Sequence, residues 1–190
     1  MNKKEQIIKT AFKLFYEKGI HAVGINEIIH DANVAKKTLY NNFVSKDALI
    51  VATIEYHHQQ FIDWLVSRID QGETSKDALL IIFEALDDWF NDKVAGFESF
   101  RGCYFNHCCA EYSQDTNAIF IASKKHKDLL KGIIHVHVRA FEKNDEKAFY
   151  LIENIFLLSE GALNCALVQK DKQSAKTAMQ GVEHLLRFKR

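Results

Sequence analysis

The sequence has no proline among its 190 residues, and only eight glycines and two methionines. Without proline, long helices run unbroken, so their ends fall to Gly, Asn, Asp and Ser. Strand-type alternation and internal repeats are both absent, which leaves an all-α fold class. The four cysteines (Cys103, Cys108, Cys109, Cys165) lack a disulfide-framework spacing, and three crowd one short stretch. A reducing, cytoplasmic home is the expectation. The apolar run Ala78–Phe83 is far short of a membrane span, and Lys9 and Lys13 break up the stretch a secretion signal needs, so no membrane partner is expected. Phosphate loop, nucleophile elbow, zinc-protease helix and dinucleotide fingerprint are all missing, which argues against an enzyme and calls for no cofactor or metal.

Net charge is also absent: 25 basic residues balance 25 acidic ones. The balance hides an asymmetry. Residues 1–50 carry eight lysines against five acids, and the rest of the chain carries the opposite excess, 17 basic against 20 acidic. A small basic head on a neutral body suits a polyanionic partner. With 47% hydrophobic residues the chain has ample material for a core and is not a disordered one.

Ile7, Ile8, Ala11, Leu14 and Phe15 recur at helical spacing, and Gly19 supplies a stop, predicting a first helix over residues 3–18. Gly24 is read as the N-cap of a second helix, Ile25–Ala32, with Glu27 placed for a capping box. Asn33 makes a tight turn, and a third short helix covers about Lys36–Phe43. Ser45 opens a fourth helix to about Ile69, and Ser75 caps a fifth to about Val94. Further helices are expected near 103–112, 116–142, 145–169 and 173–188.

Two short helices joined by a tight turn, from Gly24 to Phe43, have the outline of a helix-turn-helix. Ile28, Val34, Leu39 and Phe43 are its natural internal contacts. Lys36, Lys37, Thr38 and Asn41 face outward with base-reading chemistry: lysine donates to guanine, asparagine pairs with adenine, and threonine touches a thymine methyl. Tyr40, Asn42 and Lys46 suit phosphates. The plainer alternative is three ordinary helices with a solvated polar face, and periodicity alone does not choose.

The residue run does. Gly19-Ile20, Ile25-Asn26-Glu27-Ile28, Asn33-Val34-Ala35-Lys36-Lys37-Thr38-Leu39-Tyr40 and Phe43-Val44-Ser45-Lys46-Asp47-Ala48-Leu49 closely resemble the N-terminal domain of TetR-family repressors over residues 5–50. Asn26 joins the DNA-contacting set within that match. The family usually has Ser or Thr at position 24, Gly at 33, Ser at 35, Gly at 37 and Pro at 44. Ala35 is the more serious departure, because it removes a side-chain cap and a phosphate contact, while Lys37 adds charge at the groove. The resemblance implies a helix-turn-helix domain over 1–47 and a helical ligand-binding and dimerisation domain over 48–190. It also implies a homodimer on a palindromic operator in double-stranded DNA, released by a small-molecule effector.

In the body, Phe149, Ile152, Phe156, Leu157, Gly161, Leu163 and Leu167, followed by Ala175, Ala178, Met179, Val182, Leu185 and Leu186, make the last two helices (about 145–188) the expected dimer surface. Plain intrachain core is the competing reading. Candidate effector contacts are Phe61, Trp64, Phe83, Trp89, Phe90, Tyr104, Phe105, Cys108, Tyr112 and Phe120, most of which must simply be core. Arg101-Gly102-Cys103 followed by Glu111-Tyr112 resembles a motif of one large subgroup of the family. Cys103, Cys108 and Cys109 raise the idea of a thiol sensor, and Cys103 with His107 that of a metal pair lacking a third ligand. A helical small-molecule binder with a vestigial DNA head is the rival reading, resting on Ala35.

Overall fold

Side-chain caps and left-handed residues end the helices of this proline-free chain. The computed structural model describes residues 2–187. Among them nine helices follow in order: α1 (Lys3–Lys18), α2 (Ile25–Asp31), α3 (Lys36–Asn42), α4 (Lys46–Ile69), α5 (Ser75–Phe90), α6 (Tyr104–Glu111), α7 (Ala118–Phe141), α8 (Asp145–Val168) and α9 (Ser174–Arg187). The all-α class holds. Position 188, the expected end of the last helix, lies outside the described residues.

Most boundaries agree with the sequence pattern to within two residues, and the departures have local causes. Helix α5 starts at Ser75, but its N-cap is Thr74: the Thr74 hydroxyl accepts the Asp77 N–H at 3.2 Å, and the Asp77 carboxylate accepts the Thr74 N–H at 3.0 Å. It ends at Phe90 rather than Val94, because Asn91 turns back onto the Asp87 carbonyl (2.8 Å) and Asp92 takes a positive φ of 58°. At α2 the expected capping box does not form. Gly24 caps with its backbone alone, and the Glu27 carboxylate pairs with Lys18 at 2.6 Å instead. Asn33 adopts the expected left-handed turn at φ 47°. Gly19, at φ 91°, closes α1 by donating its N–H to the Phe15 carbonyl (2.9 Å).

Packing divides the chain into two compact units, Met1–Phe61 with Cys103–His126, and Ile62–Gly102 with Lys127–Arg190. The first unit holds α1–α3 together with α4 as far as Phe61, all of α6 and the start of α7. In that unit Ile7, Ala11, Phe15, Ile28, Leu39 and Leu49 are buried in the core. Gln6 of α1 donates to the Ala32 carbonyl at 2.8 Å and so satisfies the end of α2. Removing a buried leucine such as Leu39 costs ~2–5 kcal/mol, and here the loss falls on the only fully buried anchor of α3.

The other unit packs α5, α8 and α9 against one another. Small residues make the approach close: Ala162 and Ala166 of α8 and Ala175, Ala178 and Val182 of α9 are buried, and Ser174 donates to the Ala162 carbonyl at 2.8 Å. Lys127–Glu160 (2.7 Å) and Lys131–Glu153 (2.5 Å) tie α7 to α8. Helix α8 is long and apolar enough, by length and composition, to cross a membrane. Much of its apolar surface faces outward, with Phe149, Tyr150, Leu157 and Val168 each at least 60% exposed.

Candidate nucleic-acid interface

Helix α3 has seven residues and two unlike faces. Leu39 is fully buried, whereas its neighbour Tyr40 is 45% exposed, and Lys36, Lys37 and Asn41 are exposed with it. Thr38 is half-buried on the flank, and Asn26 is exposed on α2. The helix starts from Ala35 in extended backbone with no side-chain cap, as the loss of a hydroxyl at that position predicts. The α3–α4 turn leaves Val44 90% exposed beside this polar face.

Two of the expected phosphate contacts are already engaged within the chain. Asn42 Nδ2 donates to the Thr38 carbonyl at 2.8 Å, so the carboxamide is turned back on its own helix. Lys46 is half-buried, its Nζ donating to the Ile20 carbonyl at 2.7 Å and lying 5.7 Å from the centre of the Phe15 ring. One of its three N–H groups is thereby used and two are left to other partners. The sequence reading places both residues at the DNA edge and does not include these internal bonds: the Asn42 partner is four residues back on its own helix, and the Lys46 partner is 26 residues away.

The ten candidate effector contacts are distributed over both compact units. Phe61, Tyr104, Phe105 and Cys108 are buried in the unit that holds the head. Phe105 stacks on His57 (5.4 Å) and His126 (3.5 Å), and the Tyr104 hydroxyl lies 2.8 Å from Thr53 Oγ1. Phe83, Trp89 and Phe90 are buried in the other unit, where Phe100 packs on both Trp89 and Phe90. Trp64, Tyr112 and Phe120 are half-buried. A small cleft of about 60 Å³ in the second unit is lined by Trp89, Asp92, Val94, Phe97, Glu98 and Ser99, so Trp89 is the candidate that reaches it. Its lining carries two carboxylates.

Burial sets the chemistry of two further groups. His57 lies between Phe12 (4.5 Å) and Phe105, and burial pulls its pKa from 6.5 to about 4, against an opposing hydrogen bond to Gln60. Burial also pushes the Cys108 thiol far above its ordinary range, and Cys103 is buried too. A sensing cysteine needs access, which burial denies to both, and a stabilised thiolate, which burial disfavours at Cys108. Cys103 is the N-cap of α6, and Gly102 before it has φ 92°, a conformation that glycine adopts without steric cost. That is a physical reason for the Gly-Cys pair in the Arg101–Cys103 motif.

A buried anchor at Leu39, a left-handed turn at Asn33 and an outward Lys-Lys-Tyr-Asn face have the geometry of a helix-turn-helix. Residues 7–53 match the family model of bacterial regulatory proteins of the tetR family. Over that stretch the chain carries a tetR-type helix-turn-helix domain. Among curated relatives, it is 44% identical over 55 residues to the uncharacterized HTH-type transcriptional regulator YerO of Bacillus subtilis, covering 29% of this chain and 19% of YerO. It is 28% identical over 82 residues to the HTH-type transcriptional repressor NemR of Escherichia coli, covering 43% of this chain and 41% of NemR. The chain thus spans well under half the length of these curated relatives. A solved TetR-family transcriptional regulator from Streptomyces coelicolor shares the fold over 97% of this chain and 94% of its own, with a TM-score of 0.87 at 23% identity.

Proposed function

We propose that this protein is a cytoplasmic, homodimeric repressor that binds a palindromic operator through α3 and is released by a small-molecule effector. The observation that carries the reading is the division of α3, with Leu39 held in the core while Lys36, Lys37, Tyr40 and Asn41 face out. Half-sites one helical turn or a multiple apart, ~34–36 Å, fit a twofold-symmetric pair of such heads. Dimerisation through α8 and α9 is supported by the outward row of Tyr150, Leu157, Gly161 and Val168, which recurs at helical spacing on α8. The repressor sense is supported by the likeness to NemR, a named repressor. Release by an effector rests on the family resemblance. We also place the chain in the subgroup with the Arg-Gly-Cys motif, on the strength of Arg101-Gly102-Cys103 and the backbone it adopts.

Selection from random duplexes tests the reading. An inverted repeat with salt-sensitive affinity is expected, and a selection that returns no symmetric motif overturns it. The rival, a small-molecule binder with a vestigial head, is favoured by the uncapped start of α3 at Ala35. A gel shift on the protein's own upstream DNA separates the two.

A further inference from the structure

The turn between α1 and α2 carries backbone N–H groups that no helix satisfies, and two of them converge on one side chain. The N–H of Ile20 donates to Glu111 Oε1 at 2.9 Å, and that of His21 donates to Glu111 Oε2 at 2.7 Å. The His21 ring adds a third contact, with Nδ1 2.5 Å from Oε2, and stacks on Tyr112 with centroids 4.9 Å apart. Glu111 ends α6, 91 residues further along the chain and outside the helix-turn-helix sequence altogether. Partial burial pushes its carboxyl upward, but the hydrogen bonds from Ile20 and His21 outweigh it and hold the group below the ordinary carboxylate range. At its other end α6 is fixed to α4, through the Tyr104 hydroxyl on Thr53 (2.8 Å), and Thr53 in turn donates to the Ile50 carbonyl (2.6 Å). All these residues lie in one compact unit.

We propose that Glu111 is a positioning residue of the DNA-reading head, a carboxylate latch that fixes the α1–α2 turn and through it the angle of α3. The inference rests on the DNA-binding reading above. The turn decides how α2 leaves α1, and α3 packs on both, so a turn free to rock leaves α3 sampling angles that do not fit the groove. A carboxylate suits the task because it presents two acceptors to two adjacent N–H donors and carries the charge that strengthens both bonds. A carboxamide offers one acceptor, and its NH₂ group faces the second N–H as donor against donor. The Ile20 peptide is held from both sides, with Glu111 on its N–H and Lys46 of α4 on its carbonyl. The latch therefore joins three elements at one residue.

The test uses the full-length protein and the duplex that the wild type itself selects. Glu111→Gln is expected to keep its helical circular dichroism, to exchange the Ile20 and His21 amides faster, and to bind the duplex at least about fivefold more weakly. His21→Ala, which keeps both backbone donors, is expected to lose less. Charge alone predicts the opposite sign, since removing a negative group favours binding to a polyanion, so a loss of affinity reports position. Should Glu111→Gln fail to fold, amide exchange in the wild type decides: Ile20 and His21 are expected to be protected, and rapid exchange at both overturns the latch. A wild type that binds its duplex beside a folded Glu111→Gln protein of equal affinity overturns this inference alone. A wild type that selects no duplex overturns the DNA-binding reading, and this inference with it.

Discussion

The Lys46 ammonium donates to the Ile20 carbonyl at 2.7 Å, so the first residue of α4 is bonded to the turn that precedes α2. A half-buried charge-assisted bond of this kind contributes about 1.5–3 kcal/mol. Lys46→Met keeps the aliphatic stem and loses the bond, so the midpoint of denaturant unfolding should fall by a comparable amount. Two N–H groups remain to meet a phosphate. The salt dependence of operator binding separates the two roles. Loss of one phosphate contact per head lowers the slope of log affinity against log salt by ~0.9 for each. A stability loss with an unchanged slope would show that Lys46 acts only inside the chain.

The exposed face of α3 makes a second prediction, about kinds of contact rather than strength. Lys37 and Asn41 are exposed on the helix expected to enter the groove, and their alanine variants should relax preference at particular base pairs by about 1–3 kcal/mol each. Tyr40→Ala should weaken binding to all duplexes alike, because a phosphate contact carries no sequence information. Repeating the duplex selection with each variant checks this. Identical selected motifs from all three proteins would remove the distinction between reading and holding.

What the sequence disclosed follows from which interactions are local. Helix identity, the Asn33 turn and the inward position of Leu39 depend on spacings of three or four residues, and these were legible. The Thr74 cap was missed for Ser75 because both residues can cap, and only the reciprocal bonds with Asp77 choose between them. Glu111 stood in a motif whose resemblance was noted, yet its partners are 90 and 91 residues away, and no periodicity encodes such a pairing. Phe61 and Phe83 read alike in sequence, and only packing assigns them to different units. The internal bonds of Lys46 and Asn42 were not legible because their acceptors are backbone carbonyls, which every residue has.

His57 makes stability depend on pH in a definite direction. Burial lowers its pKa from 6.5 in the exposed chain to about 4 in the fold. Between those values the unfolded chain binds a proton that the folded one does not, so acid favours unfolding there. The contribution is fully present above pH 6.5 and is lost as the pH falls toward 4, on the order of 3 kcal/mol in all. Glu111, also held below its ordinary value, adds to the acid lability only at the lower edge of that window and beneath it. Denaturant unfolding of the wild type and His57→Leu at steps between pH 7 and 4 checks this. The variant should show a flatter profile, and parallel profiles would mean that His57 does not titrate between the two states.

Gly161 offers a clean test of the proposed dimer. A Cβ built there meets nothing within 4 Å, and the residue is exposed on the same α8 face as Leu157 and Val168. A bulky, charged side chain at this position therefore costs the isolated chain little beyond its helix propensity, which favours arginine over glycine. Across a twofold interface the same side chain appears twice, close to the axis if α8 crosses its symmetry mate there, and two buried unpaired charges are strongly destabilising. Gly161→Arg should leave helical content and the core intact and sediment as a monomer at concentrations where the wild type is a dimer. Operator affinity should fall with it, since a palindrome read by one head loses half of its contacts. Loss of association with unchanged stability at Gly161→Arg supports the α8 face as the contact between subunits. A Gly161→Arg protein that remains dimeric moves the interface elsewhere.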